Sequence, residues 1–425
     1  MQWNEHVWRR SVESFGAFLE PLVANMGRSE RREGAALYVE GLLTPGHRKS
    51  VEPMAERLRV DKQKLQQFVS DSPWQEEGLW EAVRREVIPV LGPLESWIID
   101  ETGWLKQGHQ SVGVGHQYCG AVGKKANCQV SVHLAVGTGE VAAPIAARLF
   151  LPESWAQDAA RRERAGVPAE VSFQTKPQIA LELIRAVHEE GLITPAPVLG
   201  DCLYGHSGPL RQGLRQLGCE YFLAVEPQTQ AWPQPPVVRR ARIRWSPAPR
   251  STPPRAVLDI AKELPAQAWQ PAQWSTAGGQ VRTTRLAWIQ VWMWSDLDAA
   301  TGAIAPTWLV VDWPEGQSAP YHLYTAWLDR PPTRLRCLRL SRQRFHLEQY
   351  FQRDKDDLGL DHFEGRSWRG FHHHLALAAV AYLFVLVIFL RAKKNFCPHV
   401  GRGPAQDPAI SPTLSRLLPL LSQSS

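Results

Sequence analysis

Cysteine is scarce: the 425 residues hold six, none in a C-x-x-C pair. That excludes a zinc knuckle, a thioredoxin-type motif and a disulfide scaffold, and makes a reduced, cytosolic setting the default. The first fifteen residues lack an apolar core, being interrupted by Glu5, Arg9, Arg10 and Glu13, so no secretory leader is expected there. Acidic residues are absent from Pro227 to Leu258, where eight prolines alternate with Arg239, Arg240, Arg242, Arg244, Arg250 and Arg255. Such a stretch cannot build a core and is expected to be extended. Long apolar runs are missing except for the 16 residues from Leu375 to Leu390. This run falls short of the roughly 20 residues of a membrane span, although Arg391, Lys393 and Lys394 follow it as they would on an inner face. A buried core helix is the preferred reading, with a membrane-tethered regulator as the rival. What remains is an ordinary globular composition, 44% hydrophobic, in which 48 basic residues against 42 acidic ones give a formal charge of +6. That balance favours polyanionic partners without naming one.

Residues 1–90 read as a helical N-terminal domain. Within it Val51 to Leu58, a break at Arg59-Val60-Asp61, and Lys62 to Val69 have the form of a helix-turn-helix presenting Lys62, Gln63, Lys64 and Gln66; a DNA reader and an ordinary helical pair fit equally well. From about 91 to 226 the texture is α/β: strands at Ser96 to Asp100, Gln129 to Val136 and Ala142 to Leu151, a helix at Pro177 to His188, and a strand at Pro197 to Asp201. Residues 227–335 read as a Pro/Arg/Trp-rich β insertion with strands at Leu286 to Trp294, Thr307 to Trp313 and Tyr321 to Trp327. A helical completion of the core follows over 336–395, with one long helix ending near Gly359, then a loosely held tail over 396–425.

Asp100 and Asp201 fall at the carboxyl ends of apolar strands, where open sheets place their chemistry. On the helix after the insertion, Arg344, Glu348 and Lys355 are four and seven residues apart and share one stripe. Alone, such a triplet is usually a surface salt-bridge ladder. Together with Asp100 and Asp201, Glu348 completes a set of three carboxylates suited to hard divalent cations of the kind used in phosphodiester displacement. Arg344 and Lys355 would then meet phosphates.

The same residues resemble a family, the insertion-sequence transposases of the DDE superfamily, in the branch with the signature Y-x2-R-x3-E-x6-K. Arg344, Glu348 and Lys355 match it, while Ser341 stands at the tyrosine position. WIIDETGWLKQG, SVGVGHQYCG, NCQVSVHLAV, LPESWAQD, AGVP, FQTKP, GDCLYG and GLDHFEGRSW are similar to the family's blocks and occur in its order, over about residues 30 to 390. The resemblance implies an RNase H-like catalytic core interrupted by the β-rich insertion. It also implies Asp100, Asp201 and Glu348 as catalytic and metal-binding residues, two Mg²⁺ ions with Mn²⁺ as substitute, and DNA (element ends and target) as partner. A homodimer on DNA, no membrane, and a cytoplasmic, nucleoid-associated location follow from it. The implied activity is cleavage at the element's ends and strand transfer; a transposase-derived regulator that no longer cuts is the alternative. Ser341 puts one grip on the DNA end in doubt, with Tyr204 and Tyr350 as possible substitutes.

Arg239, Arg240, Arg242 and Arg244 are further candidate phosphate contacts, as are Arg334, Arg336, Arg339 and Arg342. Ten of the 18 tryptophans lie between Trp232 and Trp327; most are expected in a core, with stacking on a base as the functional rival. His372, His373 and His374 are consecutive, so on a helix they cannot share one ion. Among nearby acids, Glu101 is the neighbour most able to intrude on the site.

Overall fold

A computed structural model describes residues 5–236, 253–275, 280–298 and 301–396. Five helices come first: α1 (Glu5–Val23), α2 (Ser29–Leu43), α3 (Val51–Leu58), α4 (Lys62–Ser70) and α5 (Glu76–Ala82). The α3–α4 break lies where the sequence puts it. Arg59 closes α3 with φ of 55°, and Asp61 caps α4 by accepting from the Gln63 amide at 2.9 Å. On the presented face, Lys62 pairs with Glu52 and Lys64 with Glu33, at 2.8 and 3.7 Å.

Next come β1 (Ser96–Leu105), β2 (Gly115–Cys119), β3 (Lys124–Gly137) and β4 (Ala142–Leu149), then α6 (Glu153–Ala156), α7 (Ala159–Ala165) and α8 (Lys176–Glu190). They are followed by β5 (Val198–Gly200), α9 (Cys202–Gly205), α10 (Gly208–Gln216) and β6 (Tyr221–Val225). The remaining elements are β7 (Gln230–Trp232), β8 (Arg255–Ala256), α11 (Val257–Lys262), β9 (Gln270–Ser275), β10 (Val281–Met293), β11 (Thr307–Trp313), β12 (His322–Trp327), α12 (Arg334–Leu358) and α13 (Trp368–Phe396).

The strands join in one mixed sheet ordered β2-β3-β1-β5-β6-β12-β11-β10-β7-β8, with β4 beside β3 and β9 beside β10. β1, β5 and β6 are mutually parallel, while β3 is antiparallel to β1. This mixed α/β arrangement is consistent with the RNase H-like core that the sequence motifs imply. Strands buried on both faces need unbroken apolar runs, and Trp97, Ile98 and Ile99 of β1 are each 0% exposed. The strands of 227–335 continue this sheet: β12 pairs antiparallel with β6 from Leu323↔Val225 to Trp327↔Tyr221. A second, smaller core of Val225, Val257, Ile260, Val291, Leu309 and Val311 lies beneath them.

The apolar run of 375–390 lies within α13. Leu375 to Val387 are all buried, against α2, α4, α5, α12 and β4. The helix is long and apolar enough to cross a membrane, yet here it joins the helical layer to the sheet. At its start the three histidines go to different partners. His372 meets the Trp368 carbonyl and the Leu149 amide, His373 the carbonyls of Val69 and Trp74, and His374 the Tyr38 hydroxyl and the Leu360 carbonyl.

The tryptophans of 227–335 meet the core expectation in part. Among those described only Trp232 and Trp313 are buried; Trp269, Trp274, Trp288, Trp292, Trp308 and Trp327 are half-buried, and Trp294 is exposed. Trp288, Trp308 and Trp327 nevertheless pack against the main core and Trp269 against the smaller one, each with part of its large ring left in water.

Candidate active site

Asp100 lies midway along β1, opposite His133 of β3, and not at the strand's end as the apolar run before it suggests, because β1 continues its pairing with β3 through Thr102, Gly103 and Trp104. The β1–β5 pairing runs through Trp97↔Val198 and Ile98↔Leu199, and Asp201 follows directly on the end of β5. The two aspartates therefore leave neighbouring parallel strands side by side. Asp201 caps α9, its Oδ1 accepting from the Leu203 amide at 2.9 Å, and Asp100 Oδ1 accepts from the Glu101 amide at 2.8 Å. Gly205 and Gly208 let this turn pack: a Cβ at Gly205 would meet the Ala224 carbonyl oxygen at 1.7 Å, and one at Gly208 the Ser295 carbonyl oxygen at 1.8 Å.

Glu348 sits on α12, half exposed, one turn from Arg344, whose Nη2 donates to Glu348 Oε1 at 2.8 Å. Arg344 Nε also lies 4.0 Å from Asp100 Oδ2. Arg344 is thus the cation that joins the three carboxylates. Burial lifts the Asp100 carboxyl to about 7; Arg344 opposes the rise, and Asp201 and Glu101 add to it. Asp201 is raised for the same reasons, burial first, then Glu101, against the pull of Arg344 and the backbone amides of Leu203 and Tyr204. Two buried carboxylates with one shared arginine leave negative charge uncompensated. Among the described residues no three His, Cys, Asp or Glu side chains converge closely enough to chelate an ion as they stand, Glu348 being drawn toward Arg344.

The other sequence candidates divide. Lys355 Nζ donates to the Gly103 carbonyl at 2.8 Å, which ties α12 to β1. Ser341 Oγ donates to the Leu338 carbonyl at 3.0 Å. Tyr350 is fully buried against Tyr382, and Tyr204 is fully buried with its hydroxyl on Glu101, so neither phenol faces solvent. Arg336 pairs with Glu220 and Asp329. Arg342 pairs with the buried Asp312 at 2.8 Å and lies over the Trp274 ring at 3.9 Å. Arg334 donates to the Pro271 carbonyl at 3.1 Å, while Arg339 is exposed. Arg255 pairs with Glu263. Arg239, Arg240, Arg242, Arg244 and Arg250 lie outside the described residues.

Two features behind the aspartates escape a reading of spacing alone. Glu101 binds Lys176 at 2.9 Å and the Tyr204 hydroxyl at 2.7 Å. Arg211, fully buried, donates to the Gly205 carbonyl, to Ser295 Oγ at 2.7 Å and to Asp296 Oδ1 at 2.9 Å, and Arg215 reaches Asp296 Oδ2 at 3.2 Å. The second network clamps the turn after Asp201 to the end of β10. Its sequence signal is a pair of arginines four apart on a short helix, each followed by a glutamine.

Comparison with known proteins bears on the same region. The family described as DDE superfamily endonuclease matches residues 21–280, which includes Asp100 and Asp201 and ends before Arg344, Glu348 and Lys355. Over 188 residues the chain is 31% identical to the "Probable transposase for insertion sequence element IS701" of Microchaete diplosiphon, covering 44% of this chain and 46% of that protein. The match thus spans less than half the length of that relative. With the family match extending over more than half of its residues, the chain belongs to the DDE superfamily of endonucleases, the superfamily of the insertion-sequence transposases that its motifs resemble.

Proposed function

We propose that this chain is a transposase that binds the ends of a mobile DNA element, cuts the phosphodiester there and joins the freed end to target DNA. Asp100, Asp201 and Glu348 are its catalytic and metal-holding carboxylates. The observation that carries the reading is the pair of largely buried aspartates on adjoining parallel strands, Asp100 within β1 and Asp201 directly after β5, both raised by burial and served by one arginine. An all-oxygen donor set with surplus negative charge suits a hard divalent cation. The chemistry that a pair of Mg²⁺ ions, or Mn²⁺ in their place, supplies when bound is activation of an attacking oxygen and stabilisation of the leaving one.

The chain's own residues do the rest. Arg344 stands between Glu348 and Asp100; released from Glu348, it offers its planar fork to a phosphate oxygen of the DNA end and leaves the glutamate to join the aspartates. For Lys355, a phosphate contact requires the ammonium to leave Gly103; in place, it fixes the stripe of α12 against β1. Residues 1–90 and the arginines at 239, 240, 242 and 244 are read as further DNA contacts, and the β strands of 227–335 as the insertion that extends the core. The complex is read as a homodimer on DNA, without a membrane, at the nucleoid in the cytoplasm. The alternative, a regulator that has lost the reaction, has no observation in its favour while all three carboxylates remain.

End-labelled DNA carrying the gene's own flanks, incubated with Mg²⁺, Mn²⁺ or EDTA, tests this with wild type and Asp201→Asn. Metal-dependent breaks at a defined flank, absent in the variant, are expected. Specific binding without breaks in the wild type would favour the regulator.

A further inference from the structure

We propose that Tyr204 and Glu101 are positioning residues that set Asp201 against Asp100, with Lys176 as their counter-charge. This rests on reading the two aspartates as ligands of a divalent ion. Successive residues of a strand point to opposite faces. Asp100 turns toward Arg344 of α12, so Glu101 turns toward α8, where Lys176 is the first residue of the helix. Glu101 is therefore no third ligand on the Asp100 face. Both of its oxygens are engaged, Oε1 by Lys176 at 2.9 Å and Oε2 by the Tyr204 hydroxyl at 2.7 Å.

Three separate segments meet at this carboxylate. Lys176 arrives on a helix start fixed by a reciprocal cap between Thr175 and Gln178. Tyr204 arrives from the turn whose backbone orients Asp201: the Leu203 amide holds its Oδ1 at 2.9 Å, and the Gly205 amide donates to the Asp201 carbonyl at 2.8 Å. The phenol ties that turn back to β1, one residue from Asp100. Two like-charged carboxylates side by side repel one another. A rigid phenol on a neutralised anchor resists their spreading at small cost in side-chain entropy, a tyrosine having few rotatable bonds.

The test is Mn²⁺ titration of the full chain without DNA, read from the paramagnetic resonance signal of the free aqua ion, beside thermal unfolding of each variant. Tyr204→Phe removes one buried hydrogen bond to a charged group, so Mn²⁺ affinity is expected to fall about 5- to 10-fold, measured at a temperature below the variant's lowered unfolding midpoint so that the titrated protein is folded. Glu101→Gln leaves an acceptor for the phenol and is expected to bind Mn²⁺ better than Glu101→Ala, a difference that overall stability does not produce. Asp201→Asn is expected to lose the site. If Tyr204→Phe titrates like wild type while Asp201→Asn does not bind, the positioning role is overturned and the ligand reading stands. If Asp201→Asn itself titrates like wild type, the ligand reading fails and this inference falls with it.

Discussion

Carboxylates withdrawn from water lie in both halves of the sheet, and they are treated differently. In the half built from 227–335, Asp296 and Asp312 are each 0% exposed on their side chains. Asp296 holds two arginines, Arg211 and Arg215, and Asp312 holds Arg342 at 2.8 Å together with the Thr284 hydroxyl at 2.5 Å. In the half built from β1 and β5, Asp100 and Asp201 share Arg344, which stands 4.0 Å from the first and is also engaged by Glu348. The structural carboxylates are matched by cations within the fold. The candidate ligands are left short of positive charge, and burial raises both. Within the sheet, the candidate site is set apart by two adjoining acids that the fold leaves without a full counter-charge.

Substitutions break this comparison in order of expected size. Asp100→Asn, Asp201→Asn and Glu348→Gln should each abolish cleavage, by about 10³-fold or more if the carboxylate holds the ion that stabilises the leaving oxygen, while filter binding to the same DNA persists. One of them cutting at the normal rate would remove that residue from the set. Asp296→Asn belongs to the other half: it leaves buried arginine charge unmatched and should destabilise by about 3–5 kcal/mol, read as a lower urea midpoint. Unchanged stability there would erase the contrast between the halves.

A smaller effect concerns Lys355. Its ammonium meets a backbone carbonyl, so Lys355→Ala should destabilise by about 1–3 kcal/mol and leave the salt dependence of end binding unaltered. A flattened salt slope with full stability would instead make it a phosphate contact. The last effect is graded with pH and lies away from both halves. His374 is fully buried, accepts from the Tyr38 hydroxyl at Nδ1 and donates from Nε2 to the Leu360 carbonyl, and burial lowers it to about 3. The ring is neutral in the fold but takes a proton near 6.5 when unfolded, so its stabilisation is complete above that value. It is lost as pH falls toward 3, at up to about 1.4 kcal/mol per pH unit. Urea midpoints between pH 7 and pH 5 should decline, and His374→Asn should flatten the decline.

Much of the frame was legible along the chain. The helix break at Arg59, the core strands, α12 and the buried run in α13 follow from periodicity and from glycine, because these signals are local. The candidate carboxylates were legible for the same reason, apolar runs terminating in acids, although only Asp201 marks a strand end and β1 runs on past Asp100 to Leu105. β2 and β6 were missed, the first alternating weakly and the second a five-residue run between a helix and the acid-free segment. The tryptophans were read as core, and most touch one, but residue type alone does not tell how much of a ring stays in water.

The amino-acid sequence by itself determined the α/β class, the stripe of Arg344 and Glu348, and the family, since each rests on short-range spacing or on motif order. Only the tertiary structure decided which charges cancel. Lys355 going to Gly103, Arg342 to Asp312, Arg211 to Asp296, and Glu101 to Tyr204 and Lys176 are pairings across long sequence separations, selected by how the sheet and its two helical faces close. Electrostatic compensation depends on distance in space and on loss of water, and spacing along the chain encodes neither.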